Sequence, residues 1–150
     1  MSASTVVDLI FNVVGSTIPQ DHGYALYAAI ARVVPAIHAA PNVGIFPIRD
    51  VASAERQLRT SPTSVLRVRL PAERIPALLL LAGQSLDLDG HAFRVGVPRL
   101  VPLIPAAVVT SPLVTIKLAK PKPGDDFVAP DAFLDAVRTQ LDARGVRGAP

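Results

Sequence analysis

Fifteen prolines are spread through the 150 residues, and they limit what this chain can build more than any other feature. Proline has no backbone donor and clashes with the preceding helical turn, so it ends elements rather than extending them. The chain must therefore be assembled from many short elements joined by stiff connections. Half of the residues are hydrophobic, enough for a packed core of about one domain and no case for disorder. No apolar run reaches the roughly 18 residues a spanning helix needs, so no membrane partner is expected. The N-terminus also lacks the basic start and small-residue cleavage site of a signal peptide.

Between the prolines the periodicity changes several times. Residues 5–14 alternate as a strand, with Val7, Leu9, Phe11 and Val13 toward a core and Asp8 and Asn12 on the other side. Residues 15–20 form a connection. From His22 the spacing turns helical, with Leu26, Ile30, Val33 and Ile37 on one stripe, until Pro35 kinks the helix or starts a new segment. Residues 43–49 predict an edge strand, because Pro47 cannot donate to a ladder. Residues 50–63 predict a polar connection with one helical turn at most. Residues 65–70 are the clearest strand, with Leu66, Val68 and Leu70 facing one way and Arg67 and Arg69 the other. A short helix over 73–82, closed by Gly83, and a hairpin turning at Asp89-Gly90 follow. Beside that turn, His91 is expected to be solvated.

The order up to residue 99 is strand, helix, strand, strand, helix, strand. That is the ferredoxin-like βαββαβ plan of an α+β protein, an antiparallel sheet under two helices. The expected division is a ferredoxin-like domain over residues 1–100, a proline-rich linker over 101–112, and the start of a second ferredoxin-like unit over 113–150. That unit would hold a strand at 113–119 and an amphipathic helix at 131–144, whose apolar face is Phe133, Leu134, Val137 and Leu141.

The chemistry-bearing residues are few. Cysteine is absent, which excludes disulfides, thiolate metal sites and a cysteine nucleophile, and fits a reducing cytoplasm. The three histidines are scattered without a carboxylate cluster, so neither a metal nor another cofactor is expected. Two of them, His22 and His38, bracket the first helix, and imidazole can exchange a proton near neutral pH. His22, within Asp21-His22-Gly23-Tyr24, lies at the helix start, where the dipole favours a neutral base. His38 lies at the opposite, cation-favouring end. On a straight helix Tyr27 and His38 share a flank but stand about 16 Å apart along the axis, out of contact. Helix capping and packing account for the same residues without catalysis. The net charge is +3, and every basic side chain before Lys117 is arginine, whose planar fork grips phosphate. Arginine-rich coding of the genome would produce the same bias. Arg67 and Arg69, adjacent on one strand face, are either solubilising or phosphate-facing.

The segments DHGYALYAAIARVVPAIH, GIFPIRD, VLRVRLPAERI, LAGQSLDLDGH, RVGVPRLVPLIPA and LVTIK, spread over about residues 5–145, resemble the CRISPR-associated endoribonucleases that process precursor CRISPR RNA. These form the sixth Cas family of the RAMP superfamily, and the likeness is greatest to its myxan-type subgroup. The resemblance implies tandem ferredoxin-like domains that bind CRISPR repeat RNA and cleave it without a metal. The RNA 2′-hydroxyl attacks the adjacent phosphodiester, leaving a 2′,3′-cyclic phosphate. It implies His22 and His38 as catalytic residues, with Tyr24 orienting a histidine or donating a proton. Arg49, Arg67, Arg69, Arg94 and Lys117 are the expected RNA contacts. Other CRISPR-associated effector subunits and a second copy of the chain are compatible partners. Members carry a glycine-rich loop near the C-terminus, and this chain is expected to lack that C-terminal part. The competing reading is a non-catalytic RNA-binding subunit on the same fold; a ferredoxin-like small-molecule or oligomerisation module is the third.

Overall fold

Alternation of side chains across extended backbone builds the centre of the molecule. The computed structural model describes residues 5–15, 17–40, 42–52, 55–104, 107–108 and 129–146. In chain order the elements are β1 (Val6–Gly15), β2 (Thr17–Pro19), α1 (Gly23–Val33), a 3₁₀ turn (Pro35–Ala39), β3 (Gly44–Phe46), β4 (Val51–Ala52), β5 (Gln57–Arg59) and β6 (Val65–Pro71). A broken helical segment from Ala72 to Leu81, with α2 (Ile75–Leu78) at its centre, leads to β7 (Ser85–Leu88) and β8 (His91–Pro102). All of these belong to one compact unit, Met1–Pro105. The second unit, Ala106–Pro150, contains α3 (Pro130–Asp142), and the turn after it holds Gly145 at φ +71. The strand expected at 113–119 lies outside the described residues.

The main sheet has the order β3-β6-β1-β8-β7, and every pairing in it is antiparallel. Its first four strands follow the ferredoxin-like order, with β1 and β6 central; β7 is added at one edge by the hairpin. One face carries Leu9, Phe11, Leu66, Val68, Leu70, Phe93 and Val95, which pack with Leu26, Ile30 and Leu81 of the helical layer. Fully burying side chains of this size contributes roughly 1.5–3 kcal/mol each, so the core is the main source of stability.

Several local expectations are corrected. Residues 15–20 and 50–63 are not plain connections: β2, β5 and β4 form a small three-stranded antiparallel sheet, with Gln20 donating its N–H to the Arg56 carbonyl. Only Gly44–Phe46 pairs within the expected strand 43–49, because Pro47 interrupts the donor row. The helix expected over 73–82 is split, since Pro76 has no N–H to bond the Ala72 carbonyl four residues back. Gly83 closes it at φ +79, and Asp89 and Gly90 turn the hairpin at φ 55 and 88. Strand β8 continues to Pro102, past the expected linker boundary. His91 is not merely solvated; its Nδ1 lies 3.2 Å from the Thr17 hydroxyl.

Candidate active site

The first helix starts one residue later than a capping aspartate would dictate. His22 is the N-cap, its carbonyl accepts the Leu26 N–H, and Asp21 stays exposed. The His22 side chain is 2% exposed and makes two hydrogen bonds. Its Nδ1 lies 2.7 Å from the Pro19 carbonyl, and its Nε2 receives the Ile48 backbone N–H at 2.9 Å. A carbonyl can only accept and a backbone N–H can only donate, so the proton sits on Nδ1 and the lone pair on Nε2. Both ring nitrogens are thereby committed within the protein. The ring, expected as the catalytic base, here fastens β2 and the strand exit after β3 to the head of α1.

The other end of the helix brings together groups that a straight helix would separate. Val34, preceding a proline, is pushed out of helical geometry to φ −125 and ψ 77. The chain restarts at Pro35 as a 3₁₀ turn, and Ile37 turns inward while His38 is carried to the surface. The expectation that Tyr27 and His38 stay apart is therefore overturned. The Tyr27 hydroxyl lies 3.2 Å from His38 Nδ1, and the two rings meet edge-on, 5.5 Å between centroids and 82° between planes. Among the described residues Nε2 of His38 has no partner.

Tyr24, Tyr27, Ala28, Ala31, Arg32 and His38 line an open depression of about 250 Å³ over this pair. The alanines leave room for a ligand where larger side chains would fill the helix face. Arg32 donates to the Asp87 carbonyl at 3.3 Å, which ties its guanidinium to the hairpin beside the depression. Tyr24, 88% exposed, stands at the rim and forms no hydrogen bond among the described residues. A neighbouring hollow of about 390 Å³ shares Tyr24, Ala28 and Arg32 but is walled by Asp21, Asp87 and Asp89. Tyr27 and Arg32 were not singled out as site residues from sequence. Their position on the helix was legible, but their meeting with His38 depends on the break at Pro35.

Arg67, Arg69 and Arg94, expected to contact RNA, fall on the sheet face away from the helices. Arg67 pairs across β1 with Ile10, and Arg69 with Asp8. Asp8, 4% exposed, accepts two hydrogen bonds from Arg69, at 2.8 and 3.1 Å, and stands 3.9 Å from Arg67. That carboxylate raises the Arg69 pKa above its ordinary value, chiefly through the hydrogen bonds. Both guanidinium groups also approach the Phe46 ring, Arg69 at 5.2 Å and Arg67 at 6.0 Å from its centroid. Arg94 is exposed on β8 opposite Val14, and Arg99, missed from sequence, lies across β1 from Arg67 at Ile10. Strict alternation along β8 would have turned Arg99 toward the core; a one-residue irregularity in the β1–β8 register between Phe11 and Val13 reverses the parity and brings it to the outer face. Arg49 is exposed beyond β3, and Lys117 lies outside the described residues.

Two comparisons bear on what this arrangement does. Residues 7–150 match the protein family described as Cas6 Crispr. The chain is also similar to the CRISPR-associated endonuclease Cas6 of Myxococcus xanthus (strain DK1622), with 34% identity over 141 residues. That alignment takes in 94% of this chain and 57% of the relative, so the chain spans a little over half of that protein's length.

Proposed function

The chain belongs to the Cas6 family of CRISPR-associated proteins, and from that membership we propose that it binds CRISPR repeat RNA and cleaves it at the Tyr27–His38 depression. The observation that carries this reading is the hydrogen bond between Tyr27 and His38 at the folded-back end of α1, with Arg32 beside it. Reaction at an RNA phosphodiester requires a proton to leave the 2′-hydroxyl, the 2′-oxygen to attack phosphorus, and the 5′-oxygen to depart with a proton. The products are a 2′,3′-cyclic phosphate and a 5′-hydroxyl, and no redox step or metal is needed for the balance.

His38 suits the proton transfer because only one of its nitrogens is occupied. When Nδ1 carries the proton and donates to the Tyr27 oxygen, the Nε2 lone pair faces outward as a base. Once it has taken a proton the ring is an imidazolium, with Nδ1–H still donating to the Tyr27 oxygen, and its outward Nε2–H can protonate a leaving oxygen. Tyr27 thus fixes the ring in either role. Arg32 offsets the charge that grows on the phosphorus oxygens. The three carboxylates of the neighbouring hollow disfavour phosphate there, which directs the RNA backbone over the Tyr27 side. His22 has a structural role in this reading, since its lone pair and proton are both used internally. Tyr24 serves at the rim, on the substrate rather than on a histidine.

The test is incubation of the chain with its cognate repeat RNA in EDTA, followed by analysis of the product ends, for the parent and for His38→Ala. A cyclic phosphate from the parent and a loss of about 10²–10⁴ in single-turnover rate for the variant are expected. Retained but uncut RNA with the parent would instead favour a non-catalytic RNA-binding subunit. No RNA retention at any salt would remove both readings.

A further inference from the structure

A second depression, of about 270 Å³, opens by the edge strand β3 and is lined by Phe46, Pro47, Arg49, Val65 and Arg67. Phe46 lies opposite Arg67 in the β3–β6 register, so both side chains stand on the sheet face away from the helices. Three apolar side chains here meet two guanidinium groups, the composition that fits a flat aromatic ligand carrying an anion. The two arginines are not equally compensated. Asp8 accepts two hydrogen bonds from Arg69 but approaches Arg67 only to 3.9 Å, and Arg49 makes no ion pair among the described residues. Among the described residues β3 pairs with β6 alone, and the Arg67 and Arg69 guanidinium groups, 6.0 and 5.2 Å from the Phe46 ring centroid, would flank a base stacked there.

We propose that this depression is a subsite for one unpaired nucleotide of the bound RNA, with its base laid on Phe46 and its phosphate held by Arg49 and Arg67. The proposal rests on the RNA-binding reading above and adds where, and in what form, the RNA is held. A base within a duplex has no free face to offer an aromatic ring, whereas an unpaired base does. Stacking is tolerant of sequence, so the subsite orders single-stranded RNA without naming its base. The segment is also mechanically tied to the cleavage helix, because His22 at the head of α1 holds the Ile48 N–H between Pro47 and Arg49.

The chain contains no tryptophan, so Phe46→Trp creates a single fluorescent reporter at the subsite. The probes are a ten-residue oligouridine and heparin, a polyanion without bases, with binding followed separately by anisotropy. Quenching of the tryptophan by oligouridine but not by heparin is expected. Phe46→Ala should weaken oligouridine binding about tenfold at unchanged salt dependence. Arg49→Ala with Arg67→Ala should flatten the slope of log affinity against log salt by about 1.4, some 0.7 for each single-strand phosphate contact. Thermal unfolding of each variant separates these effects from loss of fold. Oligouridine binding without tryptophan quenching, or equal quenching by heparin, overturns the subsite while leaving RNA binding intact. A parent chain that binds neither oligouridine nor repeat RNA overturns the functional reading itself.

Discussion

The Ile48 backbone N–H points at Nε2 of His22 from 2.9 Å, across 26 residues of sequence. With Nδ1 of the same ring on the Pro19 carbonyl, one buried imidazole joins β2, the exit of β3 and the first turn of α1. The helix that presents Tyr24, Tyr27 and Arg32 is therefore anchored at its head to the segment that presents Phe46 and Arg49. Rigid placement of this kind is what a site needs if it is to hold a flexible polymer at one phosphate.

His22→Ala should act on stability, not on chemistry. It leaves the Ile48 N–H and the Pro19 carbonyl short of partners and opens a small cavity, at a cost of about 2–4 kcal/mol. Thermal unfolding should show a midpoint lowered by roughly 10 °C or more. Single-turnover cleavage, measured well below that midpoint, should stay near the parent rate. An unchanged midpoint together with abolished cleavage would return His22 to the reaction.

At the reactive pair the two substitutions should differ in size. His38→Ala removes the proton-transfer group itself and should cost about 10²–10⁴ in rate with repeat-RNA affinity nearly intact. Tyr27→Phe removes only the hydrogen bond that orients the ring, a loss of about 0.5–1.5 kcal/mol, or roughly threefold to tenfold. A Tyr27→Phe rate loss as large as that of His38→Ala would mean that the tyrosine transfers a proton directly.

Pro35→Ala tests the helix break. Alanine restores a backbone N–H and frees Val34 for helical geometry, so α1 can continue and draw His38 away from Tyr27. Helix content by circular dichroism should rise slightly while the cleavage rate falls. Parent-level cleavage in this variant would show that Ile37, buried at 5% exposure, holds the turn without help from the proline.

The outer-face arginines should separate by their debt to Asp8. Arg67→Ala is expected to reduce the salt slope of RNA binding by about 0.7 with little change in stability. Arg69→Ala strips the buried Asp8 carboxylate of its two hydrogen bonds and should cost about 1–3 kcal/mol of folding stability, discounted because the arginine is half exposed. Asp8→Asn should be destabilising in the same sense and to a smaller degree. Equal unfolding midpoints for the two arginine variants would contradict the pairing.

How much of this was legible in the chain depended on how local the cause was. The alternation over residues 65–70, the apolar stripe of α1, the Asp89-Gly90 turn and the closing Gly83 are each decided by neighbours a few residues away, and their order was enough for the ferredoxin-like plan. Proline at 35 marked where the helix could break. It could not say which way the chain would leave, because that direction follows from Ile37 finding the core. His22 and His38 were told apart from sequence only by the helix dipole, as base at the start and acid at the end. Their opposite fates, one ring saturated inside and the other exposed beside Tyr27, were set by partners 26 and 11 residues away. The same holds for Asp8, whose polar parity was clear but whose partner Arg69 stands 61 residues along. Periodicity reports which face a side chain occupies; only the folded sheet and helix layer decide what waits for it there, because hydrogen bonds and ion pairs depend on distance in space and not on distance along the chain.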